Sequence, residues 1–235
     1  MAVKSSGPMT RTSYDCIDGI ATIAMDDGKV NALSPEMLAE VSAQFERAEH
    51  DGAIVVLTGR ARTFSAGFDI RCPQERWAEM VAAGAELARR ISCFPAPVVA
   101  ACNGNAIAMG AFLLLSADYR VGAAGDFRIG LNEVEIGLTI PWFGIELARH
   151  RLSRRYFDRC TITGAVLGPE EARSAGFLDE IVTSDELRSR ANAVAGGLAS
   201  VDRGAHLATK LRVREKALAG VRDGIDRIES GDGEW

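Results

Sequence analysis

Two glycine-containing stretches constrain the fold of this chain more than any other feature. They are residues 64–70 (FSAGFDI) and 103–110 (NGNAIAMG), and each follows a short apolar run typical of a buried strand. Residues 111–116 come directly after the second stretch and predict a helix that is buried on every side. A strand, a turn of small residues and a helix start leave backbone N–H groups unpaired, so two such turns can converge on one oxygen atom. Ordinary strand-to-helix connections of an α/β domain are the alternative interpretation.

Helical and strand-like segments alternate along most of the chain. Residues 17–25 predict a hairpin with Asp18-Gly19 as its turn, and Ser34-Pro35 predicts a helix start with a serine N-cap. The pattern continues as helix, strand, helix and strand up to residue 104, which is typical of an α/β fold with a parallel sheet. A last helix is predicted to bury an apolar face and to expose a charged one. The apolar face comprises Leu207, Leu211, Leu218, Val221, Ile225 and Ile228, and the charged face Lys210, Arg212, Arg214 and Lys216.

Size and composition limit the classes of function. The 235 residues fit one large domain, or a main domain with a helical appendage. The net charge is −5 and no basic block occurs, so neither a nucleic-acid partner nor a membrane partner is expected. Residues 1–8 are polar and lack the apolar core of a signal peptide, so we expect a cytoplasmic protein. The five cysteines and three histidines are scattered, which indicates neither disulfides nor a metal site.

Five stretches that follow one another between residues 12 and 185 resemble the crotonase (enoyl-CoA hydratase/isomerase) superfamily. They are FSAGFDI (64–70), NGNAIAMG (103–110), IGLNEVEIGL (129–138), GPEEA (168–172) and AGFLDEIV (175–182). The resemblance implies an α/β fold, a spiral of ββα units. It also implies an acyl-CoA-binding core over residues 1–185 and a C-terminal helical trimerisation region over residues 186–235. We therefore expect a homotrimer or hexamer with no separate cofactor, since coenzyme A is part of the substrate.

The resemblance assigns roles to three residues. The backbone amides of Phe68 and Met109 stand where the family places its two oxyanion donors, and Glu133 stands where it places a catalytic glutamate. Many relatives have glycine in place of Met109, which leaves the geometry of the second donor open. Core packing is the alternative role for Phe68 and Met109, and an exposed surface charge is the alternative for Glu133.

Two acidic residues that some relatives carry are absent from this chain, and their absence reduces the number of reactions to consider. Hydratases of the family carry a second glutamate where this chain has Phe112, and hydration needs a second group to hold or protonate water. Dienoyl-CoA isomerases carry an acidic residue where this chain has Pro141. A single carboxyl group in a dry pocket fits a proton shuttle, and GLNE together with Asp118-Tyr119-Arg120 is similar to the Δ3,Δ2-enoyl-CoA isomerase branch. Two alternatives stay open: an enoyl-CoA hydratase of fatty-acid β-oxidation, and a catalytically idle acyl-CoA-binding member.

The remaining residues that the resemblance implies bind the acyl-CoA substrate. In the family, the segments that correspond to residues 29–32 and 66–70 hold the adenine and pantetheine of coenzyme A through backbone contacts. The expected substrate-binding residues are Lys29, Val30, Ala32, Ala66, Gly67, Asp69, Ile70, Gly110, Phe112 and Asn132.

Overall fold

The computed structural model describes residues 10–231, and its strands form three sheets. A six-stranded sheet has the order β1-β2-β4-β7-β9-β12, a four-stranded sheet the order β11-β10-β8-β5, and β3 pairs with β6. The strands are β1 (Thr12–Ile17), β2 (Ile20–Met25), β3 (Ala32–Leu33), β4 (Ile54–Thr58), β5 (Arg62–Ser65), β6 (Gly67–Phe68), β7 (Val98–Cys102), β8 (Gly104–Ile107), β9 (Tyr119–Ala123), β10 (Ile129–Gly130), β11 (Val166–Leu167) and β12 (Glu180–Val182).

Eight α-helices within residues 10–231 cover these sheets. They are α1 (Pro35–His50), α2 (Trp77–Ser92), α3 (Met109–Ser116), α4 (Trp142–Arg151), α5 (Arg154–Ile162), α6 (Pro169–Ala175), α7 (Leu187–Leu198) and α8 (Arg203–Ser230). Short 3₁₀ helices span Gln74–Arg76 and Val134–Ile136. Strands β2, β4, β7, β9 and β12 are parallel, and only β1 joins this sheet antiparallel. The expected α/β class is confirmed.

Local sequence signals set the first elements as expected. Asp18 and Gly19 both have positive φ and form the turn between β1 and β2. The Ser34 side chain accepts a hydrogen bond of 3.2 Å from the Met37 backbone N–H, and Pro35 is the first residue of α1. The cap stabilises the start of α1 because it satisfies a backbone donor that the helix itself cannot. The apolar face of α1, which includes Met37, Val41 and Phe45, is buried, and the helix packs against β1 and β2.

Helix α3 is buried along its whole length. All eight of its residues are inaccessible or nearly so, as the run of apolar residues predicted. It begins after Ala108, whose φ of 51° and ψ of −122° lie outside the helical region. The helix therefore starts directly at the turn that follows β8.

One expectation for the middle of the chain was wrong. The sequence predicts a break at residues 141–144 before a helix over residues 146–151, but α4 already begins at Trp142. Pro141 is its N-cap, where the missing backbone N–H leaves no helical hydrogen bond unmade. Gly144 lies inside α4, where its missing side chain makes room for the ring of Phe112. Helix α5 was not predicted.

The C-terminal half of α8 follows the sequence prediction. Val221, Ile225 and Ile228 are buried. In the same half, Gly220 and Gly224 lie against Glu146 and Phe143 of α4, and α8 also packs against α2. This apolar stripe therefore packs into the core of its own chain. The division into a core over 1–185 and a helical region over 186–235 stays a prediction.

The N-terminal half of α8 differs from the predicted faces at Lys210, Arg214 and Leu211, whereas Arg212 and Lys216 are exposed as predicted. Lys210 and Arg214 are each 6% exposed, whereas Leu211 is 39% exposed. The two cations point inward because Asp118 lies there, 2.7 Å from Lys210 Nζ and 2.9 Å from an Arg214 guanidinium nitrogen. Lys210 also donates to the backbone oxygen atoms of Phe94 and Ala96. Buried charges of this kind need a partner charge and hydrogen bonds, which these contacts supply.

Two further findings concern the described residues alone. None of their helices is both long enough and apolar enough to cross a membrane. No group of three or more His, Cys, Asp or Glu residues among them is arranged to hold a metal ion. The polar segment 1–8 that entered the sequence analysis lies outside the described residues.

Replacing Asp118 by asparagine tests the packing of α8. The change leaves Lys210 and Arg214 buried without a carboxylate, so we expect the free energy of unfolding to fall by about 3–5 kcal/mol. Urea denaturation followed by circular dichroism measures it. Asp223→Asn is the control, because Asp223 and its partner Arg227 are solvent-exposed, and a change below about 0.5 kcal/mol is expected. Equal losses in both variants would contradict the assignment.

Candidate active site

The two glycine-containing turns touch each other at Gly67. Its φ is 91°, and a β-carbon added there would lie 2.9 Å from the Ala108 side chain, 3.0 Å from the Ile107 backbone oxygen and 3.4 Å from the Met109 backbone nitrogen. A residue with a side chain would push the turns apart. The absence of a side chain at Gly67 therefore brings Phe68, its neighbour in β6, beside the start of α3.

Ser65 and Gly110 fix this contact from the other side. A β-carbon added to Gly110 would lie 2.6 Å from the Ser65 backbone oxygen. The Ser65 hydroxyl donates to the Asn31 backbone oxygen at 2.8 Å and accepts from the Gly67 N–H at 3.1 Å. The turn at residues 65–67 and the start of α3 are thus held together by close packing, and buried hydrogen bonds fix the turn.

Met109 offers a backbone donor at this junction. It is the first residue of α3, so its N–H has no acceptor within the helix. The Met109 side chain is fully buried, and the Phe68 ring lies 6.4 Å from that of Trp77. A β-carbon on Gly84 of α2 would lie 2.6 Å from the Phe68 ring and 3.4 Å from the end of the Met109 side chain. Gly84 therefore leaves room for the side chains of both Phe68 and Met109.

A cavity of about 280 Å³ opens beside the two turns. Its walls come from both turns, from α2 and from the segment that follows β10, and they are mostly apolar. The lining residues are Ala66, Phe68, Ile70, Trp77, Val81, Ile107, Ala108, Asn132, Glu133, Ile136, Leu138, Thr139 and Pro141. A cavity of about 490 Å³ elsewhere, between the six-stranded sheet and α7, contains none of these residues.

Glu133 is the only ionisable side chain among the described residues that line the smaller cavity. It is 7% exposed, and its Oε2 atom is buried without a hydrogen-bond partner among the described residues. Burial raises the pKa of Glu133 to about 7 because the charged form loses its hydration, an effect that its own backbone N–H offsets only in part. The carboxyl group can therefore both accept and donate a proton near neutral pH.

Glu135 does not join Glu133. If residues 133–135 were extended, both side chains would lie on the same side of the chain. Glu133 instead has helical dihedral angles and leads into the 3₁₀ helix Val134–Ile136, and Glu135 is exposed. The turn back after residue 133 aims one carboxyl group into the cavity and the other away from it.

The predicted substrate-binding residues fall into three groups. Ala66, Ile70 and Asn132 line the cavity of Glu133. Val30 lines an adjoining cavity of about 410 Å³, which shares Ala66, Ile107, Asn132 and Ile136 with the first. The residues outside both linings are Lys29, Ala32, Gly67, Asp69, Gly110 and Phe112.

Two of these outer residues have clear structural partners. Phe112 is fully buried in the core, with its ring 5.6 Å from that of Phe143. Asp69 forms an ion pair of 2.8 Å with Arg71. The apolar character of the cavity comes from side chains such as Trp77, Val81 and Leu138 rather than from Phe112.

Sequence reasoning missed several residues of the cavity wall. Trp77 and Val81 belong to the apolar stripe that the helical spacing of residues 77–91 predicts for α2, and no role was predicted for Leu138 and Thr139. The helical periodicity shows which side of α2 is buried, but not that its first turns face a cavity. Ile107 and Ala108 could have been found, because they directly precede the Met109 donor.

A sequence model described as "Enoyl-CoA hydratase/isomerase" matches residues 16–220. The chain belongs to this family. Membership confirms the predicted crotonase-like fold, in which ββα units are followed by a long C-terminal helix. The two glycine-containing turns, Glu133 and the cavity that they line are accordingly interpreted as a candidate active site.

Three relatives illustrate where the chain lies within the family. Rat mitochondrial enoyl-CoA delta isomerase 1 is 34% identical over 185 residues, which cover 75% of this chain and 64% of the rat protein. A putative enoyl-CoA hydratase of Thermus thermophilus is 31% identical over 225 residues, which cover 88% of this chain and 85% of the relative. The apo structure of a Mycobacterium tuberculosis enoyl-CoA isomerase has a TM-score of 0.91 at 44% identity, covering 94% of this chain and 98% of that one. The names of the relatives include both reactions.

The raised pKa of Glu133 predicts a pH-dependent loss of stability. Between the ordinary pKa of 4.5 and about 7, the folded protein holds a proton that the unfolded chain releases. Ionisation of Glu133 therefore leaves the free energy of unfolding unchanged below pH 4.5 and lowers it as the pH rises through this window. At pH 8 the contribution of Glu133 to the free energy of unfolding is about 3 kcal/mol less favourable than at pH 4. Glu133→Gln lacks this loss, so we expect it to be more stable than wild type at pH 8 but not at pH 4.

Denaturation of both proteins from pH 4 to pH 8 measures this difference. Glu215→Gln, which replaces an exposed glutamate of α8, serves as the control and should follow wild type at every pH. A constant difference between Glu133→Gln and wild type would show that the Glu133 carboxyl ionises as it does in water.

Proposed function

We propose that this protein converts 3-enoyl-CoA thioesters into 2-trans-enoyl-CoA thioesters by a proton shuttle through Glu133. One observation carries the proposal. The carboxyl group of Glu133 is buried, has an unpaired Oε2, and is alone among ionisable groups of the described cavity, which borders both candidate oxyanion-donor turns. A lone carboxyl with a pKa near neutrality suits a reaction in which the same group takes up a proton and returns it.

The proposed reaction has two steps and leaves the enzyme unchanged. With the thioester oxygen held by the backbone amides of Phe68 and Met109, ionised Glu133 removes a proton from C2. The electron pair of that C–H bond moves toward the thioester oxygen and gives a dienolate. Glu133 then returns the proton to C4, the C2–C3 double bond forms, and the C3–C4 double bond is lost.

The two amides supply most of the stabilisation in this scheme. Removing a single oxyanion donor typically raises a barrier by about 2.7–4 kcal/mol. Backbone donors are suited to the task because the fold holds them in place before the substrate arrives. The apolar wall strengthens their effect, since electrostatic interactions weaken less in a cavity that excludes water.

Hydration is the competing reaction in the same family. It needs a group that holds or protonates the attacking water besides the one that activates it. Within the described residues, no second carboxyl group lines the Glu133 cavity. This absence favours isomerisation, and the name of the rat relative agrees with it.

We place part of the coenzyme A portion of the substrate in the adjoining cavity of about 410 Å³. This cavity shares Ala66 and Asn132 with that of Glu133 and adds Val30, Arg128 and Glu135. The guanidinium of Arg128 suits an anionic phosphate, whereas the nearby carboxylate of Glu135 leaves the lining without net positive charge. A cytoplasmic homotrimer or hexamer is part of the proposal. Because the apolar stripe of α8 is already buried in the core of its own chain, subunit contacts through α8 would use its outer face, where Val213 is 67% exposed.

Glu133→Gln tests the proposed reaction directly. The variant keeps the size of the side chain and loses the proton carrier, so turnover of 3-hexenoyl-CoA should fall by at least about 10²-fold. Binding of hexanoyl-CoA, measured by calorimetry, should change little. Glu215→Gln should keep the wild-type rate because it alters an exposed residue of α8. Unchanged turnover in Glu133→Gln would remove Glu133 from the mechanism.

Crotonyl-CoA hydration is measured beside isomerisation on the same wild-type preparation. A faster hydration than isomerisation would favour the hydratase alternative. Tight hexanoyl-CoA binding without turnover of either substrate would favour the idle acyl-CoA-binding alternative. The proposal predicts isomerisation as the faster reaction.

The pH dependence of isomerisation follows from the same carboxyl group. Because proton removal needs ionised Glu133, kcat/KM should rise with pH and level off above about pH 7. Initial rates with 3-hexenoyl-CoA from pH 5 to pH 9 measure the profile. A midpoint near pH 4.5, the ordinary value for glutamate, would contradict the desolvated site.

A further inference from the structure

Helix α3 links the candidate active site to two arginines at its opposite end. Its first residue, Met109, carries the proposed oxyanion donor, and its last carbonyl groups face Arg151 of α4 and Arg214 of α8. Arg151 donates to the backbone oxygen of Leu115 at 3.0 Å and also to that of Ala117. Arg214 donates to the backbone oxygens of Ser116 at 3.3 Å and Ala117 at 3.2 Å.

These arginines provide the polar side-chain anchors of α3, at its C-terminal end, whereas its N-terminal end is held by the backbone hydrogen bond from Ala108 to Gly130. The side chains of α3 are apolar apart from Ser116, whose hydroxyl donates within the helix to the Phe112 backbone oxygen. Its N-cap, Ala108, offers no side-chain hydrogen bond. Throughout residues 10–231, the side chains of other elements that donate hydrogen bonds to α3 or its C-cap are those of Arg151 and Arg214.

A guanidinium group suits this end of a helix. The last carbonyl groups of a helix lack intrahelical partners and carry partial negative charge, so a cation there is favourable. The planar guanidinium can donate to two of these oxygens at once and in a fixed geometry. Arg214 is held in turn by Asp118 at 2.9 Å and by its hydrogen bond of 2.7 Å to the Ser92 backbone oxygen.

We propose that Arg151 and Arg214 are positioning residues, which set the place of α3 along its axis and thereby the place of the Met109 amide at its other end. The inference rests on the proposed function. An eight-residue helix is about 12 Å long and moves as a unit, so a shift at one end reaches the other. Catalytic groups need placement within about 0.5 Å, and a displacement of about 1 Å can lower a rate by about 10²-fold.

The chain itself offers a matched control. Lys210 lies on α8 one turn before Arg214, is equally buried and also pairs with Asp118. Its backbone contacts go to Phe94 and Ala96, however, and not to α3. Arg214→Met and Lys210→Met should therefore both destabilise the docking of α8, while only Arg214→Met releases the end of α3.

The experiment compares Arg214→Met, Lys210→Met, Arg151→Met and Arg151→Lys at a temperature at which circular dichroism shows each variant folded. The first measurement is kcat and KM for 3-hexenoyl-CoA. The second is the infrared carbonyl frequency of bound hexanoyl-CoA labelled with ¹³C at the thioester carbon. This frequency falls when the carbonyl oxygen accepts strong hydrogen bonds, so it reports on the amides without requiring turnover. Arg214→Lys, which keeps the charge, replaces Arg214→Met if the latter does not fold.

The inference predicts that the variants differ in kcat and in the infrared carbonyl frequency of the bound ligand. Arg214→Met and Arg151→Met should lower kcat at least about tenfold with little change in KM, and should reduce the infrared shift. Lys210→Met should keep both values, and Arg151→Lys should recover part of the loss, because an ammonium still binds a carbonyl oxygen. Equal kcat values and equal infrared shifts in Arg214→Met and Lys210→Met would overturn the inference. A wild-type protein with neither turnover nor an infrared shift would overturn the proposed function, and the inference with it.

Discussion

The close approach of two backbone turns at Gly67 is the constraint on which the candidate site depends. A β-carbon there would meet Ala108 and Ile107 at about 3 Å, so the first turn could not reach the start of α3. The second turn contributes a strained residue, since Ala108 has a φ of 51°. Its N–H donates to the Gly130 backbone oxygen at 2.9 Å, which ties the strained turn to β10. Residues held in such conformations persist where the surrounding structure fixes them, often at functional sites.

The same architecture places a carboxyl group where water cannot stabilise its charge. Glu133 follows β10 by three residues, so the strand that holds Ala108 also delivers the carboxyl to the cavity. Its ionised form is costly, and the large buried core around α3 offsets that cost. Reactivity and stability are therefore opposed at this position, as they are at many active sites.

Much of this arrangement could be predicted from residues that act locally. Ser34 and Pro35 start a helix by their own chemistry, and the glycine stretches mark the turns. The inward direction of Lys210 and Arg214 could not be predicted, because helical periodicity assigns charged residues to the solvent. Their partner Asp118 lies far away in the sequence, and only the fold brings the three together. The position of Glu133 followed from the GLNE pattern, whereas its apolar wall depends on α2 and on residues 136–141, whose approach no local pattern encodes.

The central claim is that one carboxyl group acts on an acyl chain whose thioester oxygen is held by two backbone amides. A crystal structure with a bound, non-reactive 3-enoyl-CoA analogue tests it most directly. The account predicts the thioester oxygen about 2.7–3.1 Å from the backbone nitrogens of both Phe68 and Met109. It also predicts a Glu133 carboxylate oxygen within about 3.5 Å of both C2 and C4. A thioester oxygen bound away from either amide, or a second acidic side chain facing Glu133 across the bound chain, would contradict it.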